Sequence, residues 1–164
     1  LKTVGERLRS HHTLNGFWAR LAGPIAWATL TVGATAHAAG DLTRQEPVLV
    51  NVELGNKENA LRFFPDNLRF ETGKLYRLRL TNPSPSPHYF SSPRLAEAVF
   101  TRKIEVHDAK GNRLAEIKGP VHEMEVFPSA AAEWWFVPIQ TGSFDDLKCT
   151  IEGHEAMTGR IEVR

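Results

Sequence analysis

The alternation of apolar and polar residues in short runs constrains the fold of this chain more than any other feature. In residues 75–81, Tyr76, Leu78 and Leu80 alternate with two arginines. Successive side chains of a strand point to opposite faces, so this run predicts a strand with one buried and one solvated face. Comparable runs recur from residue 47 onward, separated by turn signals roughly every 8–12 residues. The pattern predicts an all-β fold of about eight or nine short strands, either a sandwich or a barrel.

One short helix is expected among these strands. Pro93 begins a run to Val99 that suits one or two helical turns, since proline is tolerated at the start of a helix. Residues 82–87 carry proline at three alternate positions, and proline cannot donate to a β-ladder. These prolines end the preceding strand and stiffen the approach to His88. We expect residues 39–46 to be a polar leader and residues 47–164 to form one domain.

The N-terminal residues 1–38 have the three parts of a secretory signal. Basic residues precede an apolar stretch at 21–34, and Ala36 and Ala38 supply the small residues that a signal peptidase requires. The alternative is a membrane anchor, which needs ~20 apolar residues, whereas this stretch is shorter and a Gly-Pro pair interrupts it. We therefore expect export to the periplasm, cleavage after Ala38, and no membrane span in the remaining chain.

The charge of the chain gives no sign of a nucleic-acid partner. The sequence has 20 basic and 19 acidic residues, and four of the basic and one of the acidic residues lie within 1–38. The predicted mature domain thus carries a net charge of −2. It has no basic block and no interleaving of basic and aromatic residues, which are the usual footprints of nucleic-acid binding.

Cys149 is the only cysteine, and it cannot form a disulfide within its own chain. Two alternatives are a buried inert thiol and an intermolecular disulfide. A metal-bound thiolate is the third, and it is favoured because His154 and Met157 follow within nine residues. Thiolate and thioether ligands select copper in its soft Cu(I) state, and imidazole suits both copper oxidation states. The segment therefore predicts a copper-binding loop.

A second histidine is the candidate for a more distant ligand. His88 follows the strand predicted at 75–81. A role as a metal ligand is therefore preferred over the alternative, a solvated histidine in a loop. His107 and His122 fall at strand ends or turns and are expected at the surface. Met124 alternates with glutamates and is expected in the core.

Several segments together resemble the cupredoxins. These are residues 64–78 from Phe64-Pro65 onward, Asn82 with His88, residues 141–144, and residues 149–163. The resemblance implies a Greek-key β-sandwich that binds one copper ion at one end. It also implies the ligand set, which is His88, Cys149, His154 and, as a weak axial ligand, Met157.

The spacing of the last two ligands departs from the common pattern. Only Glu155 and Ala156 separate His154 from Met157, whereas mononuclear cupredoxins usually have three or four residues there. The short spacing resembles the copper loop of cytochrome oxidase subunit II. The dinuclear site of that loop needs a second cysteine where this chain has Gly153, so a mononuclear site is expected. Met157 is either an axial ligand with altered geometry or a core residue.

The resemblance implies a carrier of single electrons, using the Cu(I)/Cu(II) couple, and no enzymatic activity. Its expected partner is a redox protein such as a c-type cytochrome or a terminal oxidase. The alternative is a periplasmic copper-binding or delivery protein without redox turnover. Such proteins tend to have open sites rich in Met and His, and this chain has two methionines. An enzyme is disfavoured because no Ser-His-Asp set and no paired carboxylates stand out.

Overall fold

The computed structural model of the protein describes residues 40–164, which form strands in two sheets and one short α-helix. In chain order the elements are a 3-10 helix at Leu42–Arg44, β1 Val48–Leu54, β2 Phe63–Phe64, β3 Asn67–Phe70, β4 Tyr76–Thr81, β5 His88–Ser91, α1 Pro93–Glu97, β6 Val99–His107, β7 Arg113–Ile117, β8 Glu123–Val126, β9 Ala131–Pro138, β10 Gly142–Lys148 and β11 Thr158–Val163. The predicted all-β fold with one short helix is confirmed. The predicted signal peptide at residues 1–38 lies outside the described residues.

The two sheets are built from strands that are mostly distant in sequence. The order is β2-β1-β4-β9-β6-β7 in the first sheet and β3-β11-β10-β5-β8 in the second. Most neighbours are antiparallel, but β1 pairs in parallel with β4, and β3 pairs in parallel with β11. The chain passes repeatedly from one sheet to the other, which gives the expected Greek-key β-sandwich. No helix within residues 40–164 is long and apolar enough to cross a membrane.

The core lies between the sheets and follows the predicted alternation. Leu78 and Leu80 of β4 are fully buried, whereas Arg79 between them is exposed. Aromatic rings join the sheets: Phe63 of β2 meets Phe90 of β5 with centroids 5.8 Å apart, and Phe70 of β3 meets Phe136 of β9 at 5.2 Å. Edge-to-face pairs of this kind add about 0.5–1.5 kcal/mol beyond the area they bury. This core fixes β5 and β10, the two strands that lead into the candidate site.

The structure differs from the expectations mainly around His88. No strand was predicted at this position, but His88 is the first residue of β5, opposite Val126 of β8. The physical reason is that the prolines end at residue 87, so the backbone can rejoin a ladder at once. The helix ends at Glu97 instead of Val99. Within the predicted leader, Gln45 donates from its side chain to the carbonyl of Gly73 at 2.7 Å.

Candidate metal centre

His88 enters the site from the interior of the second sheet. Its strand, β5, lies between β10 and β8, and the His88 side chain is fully buried. Ser91 of β5 pairs with Lys148, the last residue of β10, so Cys149 follows directly beside β5. The backbone N–H of Tyr89 donates to Cys149 Sγ at 3.4 Å. Strand pairing therefore brings the predicted distant ligand next to the cysteine.

The loop between β10 and β11 is held by backbone hydrogen bonds. Cys149 N–H donates to the carbonyl of Met157 at 2.9 Å, closing the loop at its base. Inside it, His154 N–H donates to the carbonyl of Ile151 at 3.0 Å, and Met157 N–H donates to the carbonyl of His154 at 2.9 Å. Gly153 has a φ of +84°, a value that favours glycine in the first of these turns. The short His154–Met157 spacing is thus one hydrogen-bonded turn.

Three of the four predicted ligands converge. Each of His88, Cys149 and His154 offers a ligand atom, and these atoms all lie within 4.8 Å of one another. Cys149 Sγ is 3.4 Å from His154 Nδ1, and the two imidazole centroids are 5.0 Å apart. His88 and Cys149 are buried, and His154 is half-buried. The fourth, Met157, is fully buried where the loop joins β11, and its role as a ligand stays a prediction.

The His88 ring has one nitrogen that no protein group satisfies. Its Nε2 is 3.0 Å from Ser84 Oγ, but its Nδ1 is buried and has no hydrogen-bond partner. Leaving a buried polar group without a partner costs about 1–3 kcal/mol of folding free energy. A metal ion bound to Nδ1 would supply the missing partner. Burial, followed by the charge of His154, lowers the pKa of His88 and so favours the neutral imidazole that binds metals. The donor set, two imidazoles and one thiol, fits copper.

A second group of potential ligands lies on the outer face of the first sheet. Ligand atoms of Glu105, His107 and Glu133 also lie within 4.8 Å of one another. However, Arg77 donates two hydrogen bonds to Glu133 at 2.8 and 2.6 Å, and Lys103 donates to Glu105 at 2.6 Å. Because both carboxylates are already paired with cations, we interpret this group as an ion-pair network.

Other expectations for single residues had mixed outcomes. His122 is exposed and Met124 is buried, as predicted. His107 is not a fully exposed surface residue: its side chain is 16% exposed and its Nε2 lies 3.9 Å from a Glu105 carboxylate oxygen. The cause is its position in β6, beside charged residues of the neighbouring strands.

Sequence reasoning missed the residues that surround His88 on its other side. Ser84 contacts Nε2, and Gly55, which directly follows β1, lies against both residues. A Cβ added at Gly55 would be 2.9 Å from His88 Nε2 and 2.9 Å from Ser84 Cβ, and the φ of +71° also favours glycine. A glycine in a turn was visible in the sequence, but no local pattern places it beside a histidine that follows a different strand.

Comparisons with known proteins agree with this fold. No protein-family model matches the chain, and no curated protein matches its sequence. Among solved structures, the chain is similar to a multicopper oxidase from Campylobacter jejuni, with 16% sequence identity and a TM-score of 0.54. The match covers 73% of this chain and 30% of the oxidase chain. The chain is also similar to a copper-containing nitrite reductase from Thermus scotoductus SA-01, with 14% sequence identity and a TM-score of 0.51. This match covers 73% of this chain and 32% of the reductase chain.

A third similar structure is auracyanin A, a "blue" copper protein from Chloroflexus aurantiacus, with 19% sequence identity and a TM-score of 0.45. The match covers 73% of this chain and 100% of the auracyanin chain. The chain spans about a third of the oxidase and reductase chains and the whole length of auracyanin A. At these identities the similarity concerns the fold. The similarity to the oxidase and the reductase confirms, at the level of the fold, the resemblance that extends over roughly residues 47–164, and the chain has a cupredoxin-like β-sandwich fold.

Proposed function

We propose that this protein is a mononuclear copper protein that carries single electrons between redox partners. The observation that carries the proposal is the convergence of His88, Cys149 and His154, with a buried, unpartnered nitrogen on His88. The oxidase and the reductase that share the fold are copper proteins by name, which favours copper as the metal. The thiolate and the imidazoles favour the same choice.

His88, Cys149, His154 and Met157 would hold the copper ion, which would supply a one-electron couple between Cu(II) and Cu(I). The role of the protein is to keep the positions of the ligands unchanged while an electron is gained or lost. His88 is fixed by the ladder of β5, and Cys149 adjoins the end of β10. The hydrogen-bonded turns of the loop hold His154 and Met157. A site built in this way needs little rearrangement when its charge changes.

The same features favour a carrier over an enzyme. Within residues 40–164 the other group of potential ligands, around Glu105 and Glu133, is already paired with arginine and lysine. One candidate metal site then remains among the described residues. We therefore propose no catalytic turnover for this chain.

We further propose that the protein works in the periplasm. The support is the signal-like pattern of residues 1–38, namely basic residues, an apolar stretch and small residues before the cleavage position. The partner would be a redox protein such as a c-type cytochrome or a terminal oxidase. With a net charge of −2 and no basic block, the mature domain offers no nucleic-acid surface.

Electrochemistry of the copper-loaded protein tests this proposal. We expect a reversible one-electron wave, and stopped-flow electron exchange with a c-type cytochrome, both absent in Cys149→Ser. Oxygen and nitrite should not be consumed. A protein that binds Cu(I) and releases it to a chelator, without a reversible wave, would instead be a copper-binding or delivery protein. Sustained turnover of oxygen or nitrite would contradict the proposed carrier role.

A further inference from the structure

The proline-rich segment between β4 and β5 is held in place by a set of hydrogen bonds. Prolines at 83, 85 and 87 have no N–H, so Ser84 and Ser86 carry the only backbone donors of residues 83–87. Both are used: Ser84 N–H donates to Asn82 Oδ1 at 2.9 Å, and Ser86 N–H donates to Ser84 Oγ at 3.0 Å. Asn82 Nδ2 donates to the carbonyls of Ser86 at 2.8 Å and Val126 at 2.7 Å. The segment thus holds Ser84 in one position.

The hydrogen bonds of the Ser84 hydroxyl leave one role for His88. Ser84 is 2% exposed, and its Oγ lies 2.9 Å from Asn59 Oδ1 and 3.2 Å from the carbonyl of Ser86, which are both acceptors. A hydroxyl has one proton to donate and two lone pairs. The proton goes to an acceptor, and Ser86 N–H occupies one lone pair. The second lone pair is then available to His88 Nε2, at 3.0 Å, which must carry a proton to use it.

The opposite arrangement would leave a buried donor unsatisfied. If Ser84 donated to Nε2, the proton of the neutral ring would sit on Nδ1, which is buried and has no acceptor. Asn59 Oδ1 would also lose the Ser84 proton, whereas the Ser86 carbonyl would keep its hydrogen bond from Asn82 Nδ2. Gly55 packs closely against the His88 ring, because a Cβ added at Gly55 would lie only 2.9 Å from Nε2. The ring therefore has little room to move on this side. Hydrogen bonding therefore favours the Nε2–H form.

We propose that Ser84 is a positioning residue that holds the His88 imidazole in the Nε2–H tautomer and reserves the Nδ1 lone pair for the metal. This proposal rests on the proposed copper-binding function, which it deepens by naming the residue that prepares the distant ligand. An outer hydrogen bond to a ligating histidine fixes its tautomer and orientation. The proline-rich segment then has a role, because it places the hydroxyl that selects the nitrogen.

The tautomer can be measured without metal. In the metal-free protein with ¹⁵N-labelled histidine, NMR should show a protonated, pyrrole-type Nε2 and an unprotonated Nδ1 for His88. Ser84→Ala should mix the two tautomers or speed the exchange of the Nε2 proton with solvent. Ser86→Ala is the matched control, because it alters the same segment but keeps the backbone groups that bind Ser84 and Asn82. A proton on Nδ1 in the wild type, or an unchanged His88 signature in Ser84→Ala, would overturn the proposal.

Copper affinity gives a second readout. In a Cu(I) competition titration, Ser84→Ala should bind about 10–100-fold more weakly than the wild type, as is typical when an outer partner of a ligating histidine is lost. Ser86→Ala should bind like the wild type. Equal affinities for all three proteins would overturn the positioning role. If the wild type fails to bind copper yet shows the Nε2–H signature, the copper function falls while the tautomer assignment is supported.

Discussion

Tyr89 and Cys149 are 60 residues apart in the chain, yet the Tyr89 N–H reaches Cys149 Sγ at 3.4 Å. One short strand therefore supplies both the buried His88 and a hydrogen bond to the sulfur. Hydrogen bonds to a ligating sulfur and an apolar shell around it tune the potential of a copper–thiolate site. Single residues of β5 thus determine much of what a metal at this position would experience.

At the residue scale, His88→Ala should open a coordination position. We expect the visible spectrum of the copper-loaded protein to change, and copper affinity to fall by more than the ~10–100-fold typical of outer-partner losses. The control is His122→Ala, which alters an exposed histidine and should leave both properties unchanged. Identical behaviour of the two variants would remove His88 from the ligand set.

Met157→Leu tests the axial ligand. The side chain is fully buried, and the exchange nearly conserves volume, so its cost in folding free energy should stay below about 1.5 kcal/mol. Because a two-residue turn separates Met157 from His154, the wild type should show a green or otherwise perturbed spectrum with rhombic EPR. The variant should shift both the spectrum and the reduction potential. If neither changes, Met157 is a core residue and not a ligand.

The sequence could predict the candidate ligands, three of which converge in the structure, better than the residues around them. Cys149, His154 and Met157 occur within one loop, where their chemistry is visible together, and His88 follows a clear strand. Ser84 contacts His88 only because the proline-rich segment folds back on itself, and Asn59 reaches Ser84 from a turn 25 residues earlier. Such contacts depend on the packing of separate segments, which alternation and spacing do not encode.

At the scale of elements, local patterns predicted most strands but not their partners. The inside-outside alternation of β4 was correct, because it depends only on the residues of that strand. The parallel pairing of β3 with β11 joins segments that no local signal connects. β5 was missed because its four residues directly follow prolines, which are typical of the end of a strand.

Gly159→Ala should disturb the pairing of β11 with β3. A Cβ at this position would lie 2.6 Å from the carbonyl oxygen of Asp66 and 2.7 Å from Leu147 Cδ2, and the backbone atom cannot give way easily. We expect a loss of about 1–3 kcal/mol in the free energy of unfolding, the usual range for overpacking. Denaturant unfolding measures this loss.

Gly142→Ala in the adjacent strand β10 is the control for that substitution. Its Cβ would meet only the ring of Phe144, at 3.1 Å, and a side chain can shift. A smaller loss is therefore expected for Gly142→Ala than for Gly159→Ala. The reverse order would contradict the tight contact between β11 and the Asp66 backbone.

At the scale of the whole molecule, the outer face of the first sheet should make stability depend on acid pH. The hydrogen bond from Lys103, together with one from Arg113 at 3.0 Å, lowers the pKa of Glu105 below its ordinary value of 4.5. The unfolded chain therefore binds a proton at a higher pH than the folded protein does. The contribution of Glu105 is fully present above pH 4.5 and is lost as the pH falls toward the lowered pKa.

Glu105→Gln should consequently flatten the pH dependence of stability below pH 4.5. Thermal unfolding measured from neutral to acid pH checks this expectation, with Glu58→Gln at an exposed position as the control. An equal acid sensitivity of the wild type and Glu105→Gln would show that the network on this face contributes nothing to the pH dependence.

The whole sandwich brings His88, Cys149 and His154 together, and we propose that they bind one copper ion. Optical and EPR spectra of the copper-loaded protein, with the metal content measured, test it most directly. We expect one copper per chain and strong visible absorption from thiolate-to-copper charge transfer, which Cys149→Ser should abolish. A wild-type Cu(II) form without visible colour, or a spectrum that survives the loss of Cys149, would contradict it.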